Sequence, residues 1–92
     1  MNYKLQFLPK ALKEWKKLNN NIRQQLKKKL VKILKYPRIQ ANKLHGCDSL
    51  YKIKLRSSGY RLVYEVIDNK LCVLVITIAK WRLIYKPNLR YS

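Results

Sequence analysis

An α+β fold is what the sequence predicts: two N-terminal helices packed on a mainly antiparallel four-stranded sheet, in the order β-α-α-β-β-β. Two observations carry this expectation. Apolar residues recur at helical spacing between positions 9 and 36, and after position 50 three runs of strand-forming residues are separated by turn signals. No internal repeat or Ser/Gly-rich linker interrupts the 92 residues, and Gly46 and Gly59 are the only glycines. Residues 1–92 are therefore expected to form a single domain with one modest core.

Residues 3–8 alternate with the strand period, and Pro9 then sets φ where a helix can begin. Ala11, Leu12, Trp15 and Leu18 fall at helical spacing and predict a first helix over about 9–18. Asn19 to Asn21 break it. Asn21 with Gln24 three positions later resembles a capping box, and Ile22, Leu26, Leu30, Ile33 and Leu34 form the apolar stripe of a second helix ending near Tyr36-Pro37. Residues 37–49 hold Pro, Asn, Gly and Asp without a clean period and read as a loop.

Three strands are expected after it, at about 50–57, 60–67 and 70–79. A two-residue Ser58-Gly59 turn between the first two would pair Arg56 with Arg61, Lys54 with Val63 and Lys52 with Glu65. Tyr51, Ile53, Leu55, Leu62, Tyr64 and Val66 would then share the other face, toward the helices. A three-residue loop would mix cations with apolar residues, which counts against it. Asp68-Asn69 is a second hairpin signal, and every residue from Leu71 to Ile78 except Thr77 is apolar. Such a run suits a central strand, with residues 3–8 as the candidate for its second neighbour.

Charge points to the partner. Lys and Arg number 22 against four acids, Glu14, Asp48, Glu65 and Asp68, a formal net charge of +18. This excess cannot be neutralised internally, and its self-repulsion implies a polyanion as partner: nucleic acid, a ribosome, an anionic membrane or an acidic protein. The second helix carries Lys27, Lys28, Lys29, Lys32 and Lys35 on its polar side. Such a run is ordinarily a solvated face; the functional alternative is contact with RNA phosphate, with Lys27, Lys28 and Lys32 as candidates. No run approaches the ~18 apolar residues of a membrane span, and the N-terminus lacks the apolar core of a signal peptide. A membrane partner is not expected, and a cytoplasmic location is. Cys47 and Cys72 lack the paired spacing of a zinc site, so neither a disulfide framework nor a metal is expected.

The familiar catalytic sets are missing from the sequence: one histidine, His45, which reads as a loop residue, no useful carboxylate pair, no Walker loop and no nucleophile elbow. What remains is the outward cationic set Lys52, Lys54, Arg56 and Arg61, backed by Lys80, Arg82 and Tyr85. On composition alone this set would serve for plain phosphate binding.

The segment Leu44-His45-Gly46, followed by Tyr51-Lys52-Ile53-Lys54-Leu55-Arg56-Ser57-Ser58-Gly59-Tyr60-Arg61-Leu62-Val63-Tyr64, resembles the core of RelE toxins, the ribosome-dependent mRNA interferases of bacterial toxin–antitoxin pairs. Ala11-Leu12-Lys13-Glu14-Trp15 and Gln25-Leu26-Lys27-Lys28-Lys29-Leu30 are similar to the same family, and the likeness spans roughly residues 1–80. It implies cleavage of mRNA in the ribosomal A site by attack of the RNA's own 2′-hydroxyl, without metal or other cofactor. It further implies rRNA contacts, an acidic antitoxin as protein partner, and operator DNA reached only through the antitoxin complex. Carried over by position, Lys52 and Lys54 are candidate bases and Arg61 the phosphate clamp.

A lysine base needs a lowered pKa, and neighbouring cations act in that direction. Glu65 opposite Lys52 would hold that lysine charged, so Lys54 is favoured as proton acceptor. The tail at 80–92 departs from the family pattern. Trp81 stands where an arginine is expected and Arg82 is displaced by one, which on a strand turns a side chain to the other face. Arg82 is a candidate phosphate or leaving-group contact and Tyr85 a candidate stacking or acid residue. The alternative is a catalytically weakened module that binds RNA, ribosome or antitoxin.

Overall fold

The computed structural model describes residues 2–46 and 48–80. Their order is β1 (Lys4–Phe7), α1 (Pro9–Lys17), α2 (Asn20–Ile33), a short 3₁₀ turn (Gln40–Asn42), β2 (Leu50–Leu55), β3 (Tyr60–Ile67), a second 3₁₀ turn (Asp68–Lys70) and β4 (Cys72–Lys80). The sheet runs β1-β4-β3-β2, so β4 is central and the first strand is its second neighbour, as expected. Pairing is antiparallel for β2–β3 and β3–β4 and parallel for β1–β4. The single parallel pair follows from the two helices, which carry the chain from β1 on one edge to β2 on the other.

Pro9 opens α1 at a position where its missing N–H is no loss, and Lys16 and Lys17 sit favourably at the negative end of the helix dipole. Arg23 of α2 donates to the Lys16 carbonyl at 3.2 Å, satisfying one of the carbonyls that the helix end leaves unpaired. The cap of α2 is Asn19, whose side chain accepts from the Ile22 N–H at 2.9 Å. This corrects the capping box expected at Asn21: the earlier asparagine already sits three residues before the first buried apolar residue, so the helix starts there. The helix also ends earlier than expected, at Ile33.

The buried residues of α2 are Ile22, Leu26, Leu30 and Ile33, the expected stripe less its last member. They face the inner side of the sheet, where Tyr51, Ile53, Leu55, Leu62, Tyr64 and Val66 are all buried. Tyr51 and Tyr64 lie opposite each other and stack at 5.5 Å between ring centroids. Their hydroxyls are satisfied: Tyr64 donates to the Pro37 carbonyl at 2.8 Å, and Tyr51 accepts from Arg38 at 3.1 Å.

Both hairpin loops hold four residues rather than two. In the first, the Gly59 N–H returns to the Leu55 carbonyl at 2.8 Å with Gly59 at φ +76°. A two-residue type I′ turn would require positive φ at Ser58 as well, and Leu71 is the only described non-glycine residue with positive φ. The expected register is therefore corrected by two residues. Lys54 pairs with Arg61, Lys52 with Val63 and Leu50 with Glu65, while Arg56 moves into the turn and β2 stops at Leu55. In the second loop Leu71, at φ 49°, closes the turn opened by Asp68.

Candidate nucleic-acid interface and active face

A register shift of two residues preserves strand parity, so the expected segregation of the two faces holds although the individual pairs change. Lys52, Lys54 and Arg61 project from the face opposite the helices. The Val66 N–H bonds to the Ser49 carbonyl at 2.9 Å, which makes Ser49 and Val66 a hydrogen-bonded pair. By alternation Lys54 and Arg61 form a non-hydrogen-bonded pair, the closer kind, with Cβ atoms about 4.5–5.5 Å apart.

Two cations placed directly opposite each other disfavour the charged state of the one that titrates more easily. The Lys54 pKa is accordingly lowered from its ordinary value, first by the Arg61 charge, then by the Lys52 charge, by partial desolvation and by Arg56. Glu65 lies opposite Leu50 and not Lys52, which removes the reason given above for ranking Lys54 over Lys52. The ranking rests instead on the Lys54–Arg61 pair.

Two clefts meet at this strand. One, of about 300 Å³, is lined by Lys54, Leu55, Arg56, Gly59, Tyr60 and Arg61. The other, of about 500 Å³, sets Lys29 and Lys32 of α2 across from Lys52, Lys54 and Arg56. Lys32 therefore shares a cleft with the cations of β2. Lys27 and Lys28 are exposed on α2 but line neither cleft. His45 is exposed in its loop. Lys80, expected to be a bare exposed charge, is exposed but lies 5.8 Å from the centre of the Tyr60 ring. Trp81, Arg82 and Tyr85 lie outside the described residues.

Sequence reasoning missed Lys29 as a site residue, and it missed Arg38 altogether. The Arg38 guanidinium donates to Asp68 at 2.6 and 3.0 Å, to the Asp48 carbonyl at 3.2 Å and to the Tyr51 hydroxyl. Asp68 also accepts from Tyr3 at 2.7 Å. This clasp ties the segment after α2 to one end of the sheet and so sets the wall of the larger cleft. The Arg38 and Tyr3 hydrogen bonds hold the Asp68 carboxyl below its usual pKa. No periodicity marks an arginine inside an irregular loop, so no sequence signal pointed to it.

Helices cover one side of a small sheet and opposed cations stand on the other, the layout of a small basic α+β protein. The family model described as the ParE toxin of the type II toxin–antitoxin system parDE matches residues 5–85, and the chain belongs to that family. Among individual relatives, the mRNA interferase toxin RelE of Escherichia coli K12 is 62% identical over 80 residues, 87% of this chain and 84% of that protein. A putative RelE-like toxin of E. coli is 50% identical over 80 residues, with the same coverage. The isolated E. coli RelE toxin matches with a TM-score of 0.83 at 54% identity, covering 98% of this chain and 99% of that one. The intact E. coli RelBE toxin–antitoxin complex contains a chain matching with a TM-score of 0.83 at 63% identity, covering 85% of this chain and 95% of that one. The resemblance seen in the sequence and the expected fold are both borne out. Among the described residues no group of three or more His, Cys, Asp and Glu is placed to hold a metal, and no helix is long and apolar enough to cross a membrane.

Proposed function

We propose that this chain is the toxin of a type II toxin–antitoxin pair and an mRNA interferase that cuts mRNA in the ribosomal A site. The observation that carries the residue assignment is the directly opposed pair Lys54–Arg61, with the Lys54 pKa lowered chiefly by that neighbour. Identity of 62% to an mRNA interferase supports the reaction class.

In the reaction, Lys54 Nζ removes the proton of the 2′-hydroxyl, whose oxygen then attacks the adjacent phosphorus. A bond forms from the 2′-oxygen to phosphorus, and the bond from phosphorus to the 5′-oxygen breaks. The products are a 2′,3′-cyclic phosphate and a 5′-hydroxyl, the latter taking its proton from an acid, for which Tyr85 is the candidate and Arg82 the candidate leaving-group contact. Arg61 presents a planar fork of donors to the phosphate oxygens as charge develops on them, and Lys52 adds positive potential. Arg56 and Lys32 hold flanking RNA phosphates, and Lys27 and Lys28 contact rRNA. Few catalytic groups suffice because the ribosome supplies orientation of the substrate, worth several kcal/mol of barrier.

Residues 1–92 act as one toxin domain in the cytoplasm, where translating ribosomes are. An acidic antitoxin covers the basic face in the resting cell; the solved complex of the E. coli relative with its antitoxin supports that partner. Operator DNA is reached only through that complex.

The test is in vitro translation on programmed ribosomes with mRNA ends mapped by primer extension. A-site cuts by the wild type that are lost in Lys54→Ala and in Arg61→Ala, with ribosome binding retained, are the expected result. Wild type that binds ribosomes without cutting overturns the nuclease reading and leaves a binding module.

A further inference from the structure

The larger cleft is not accounted for by a reaction at one phosphate. It opens beside the outer edge of β2, whose Leu50–Tyr51 end is bridged by Lys43 and Leu44, and its volume of about 500 Å³ lies within the ~300–1,000 Å³ of small-molecule sites. Its floor is apolar: Ile39 and Ala41 come from the loop after α2, and Ile33 and Ile53 close it from below. Ile39 is 36% exposed, an aliphatic surface left open inside a ring of cations. Asn42 is the one uncharged polar side chain among the lining residues.

We propose that this cleft is the subsite for the RNA nucleotide next to the scissile phosphate. The inference deepens the nuclease reading and rests on it. Three features support it. Lys54 and Arg56 line both clefts, so a strand whose scissile phosphate sits at Lys54 and Arg61 passes over that ridge without a gap. Lys29 and Lys32 wait on the far side for the next phosphate. The apolar floor then receives the base or sugar, and the Asn42 amide, which both donates and accepts, meets a base edge. An unstacked RNA base is recognised in this way, through one face on an apolar surface and hydrogen bonds to its edge. A strand edge suits addition of a peptide strand, but Lys43 already bridges this one at Tyr51. Five cations around a concave, partly apolar floor favour the nucleotide.

The Arg38–Asp68 clasp ties the loop that carries Ile39, Ala41 and Asn42 to the turn after β3.

The experiment has two readouts. A trinucleotide carrying a 2′-deoxy sugar at the cut position is titrated into the ¹⁵N-labelled full chain, and cleavage is profiled over a library of A-site codons. The expected result is that amides of Ile39, Ala41 and Asn42 shift, that Lys29→Gln/Lys32→Gln flattens the salt dependence by about 1.4 in log–log slope, about 0.7 per phosphate contact, and that Asn42→Ala redistributes cuts among codons. Wild type that cuts, with salt slope and codon profile unchanged in these variants, overturns the subsite and leaves the nuclease intact. Wild type that does not cut while the trinucleotide still shifts those amides overturns the nuclease reading and upholds an RNA cleft. Shifts from an acidic antitoxin peptide but none from the trinucleotide overturn the inference in favour of a protein site.

Discussion

The two faces of the β2–β3 hairpin are built from alternate residues of the same two strands and carry opposite physics. Inward, Tyr51, Ile53 and Leu55 meet Leu62, Tyr64 and Val66 with almost no exposed surface. Outward, Lys54 meets Arg61 head-on. The inner face lowers the free energy of the fold. The outer face raises it slightly, because like charges directly opposite each other are destabilising. An arrangement that works against folding persists where it serves something else, and under the proposed function that is a lowered Lys54 pKa beside the cation proposed to hold the phosphate.

This contrast can be attacked from either side. The largest effect belongs to the outer face: Lys54→Ala or Arg61→Ala is expected to reduce cleavage by roughly 10²–10³-fold, while thermal unfolding of Lys54→Ala stays at or above that of the wild type. A large drop in stability would dissolve the distinction between the faces. Next comes the inner face, where Leu62→Ala is expected to cost about 2–5 kcal/mol in urea unfolding, since Leu62 is fully buried. Its loss of cleavage should follow the folded fraction alone.

A finer cut is Arg61→Gln. The Arg61 charge is the first cause of the lowered Lys54 pKa, so the Lys54 titration, followed by its ¹³Cε shift, should move up toward the ordinary lysine value of about 10.4.

The smallest effect concerns charge in structural use, at the clasp. Asp68 has its pKa lowered in the fold by Arg38 and Tyr3. Between the folded and unfolded values the unfolded chain binds more protons, so this contribution is complete above the unfolded value and is lost as pH falls through the folded one. Asp68→Asn should therefore remove part of the acid limb of the stability profile, measured by unfolding below pH 3.8, and leave the curve's shape near neutrality unchanged.

How far the sequence could be read followed from which quantities are periodic. The faces of β2 and β3 were legible because burial alternates along them, and an even error in register cannot exchange them. The pairs themselves were not legible, because loop length depends on which residues take positive φ. Ser58-Gly59 looks like a two-residue turn, and Leu71 carries no hint that it adopts a conformation favoured by glycine and asparagine. The helices were legible from their stripes, their ends less so, since Asn19 and Asn21 offer equivalent caps on paper. The clefts were invisible: Lys29 and Asn42 acquire their meaning only when α2 and the following loop are brought beside β2. The roles of Arg82 and Tyr85 fall beyond the described residues.

The β3–β4 ladder contains one irregularity. Val63 pairs with Thr77 and Tyr64 with Val75, leaving Ile76 without a partner opposite. Val73 and Val75 are buried before this point and Ile78 after it, so the strand changes phase in mid-course, as a reading frame does at an inserted base. A deletion of Ile76 would join Val75 directly to Thr77 and make the ladder regular, with Thr77 still opposite Val63 and Ile78 still opposite Leu62, so Thr77 through Lys80 would keep their faces. The central strand thus carries one residue more than its neighbour and confines the excess to a single point, without exchanging inside and outside beyond it.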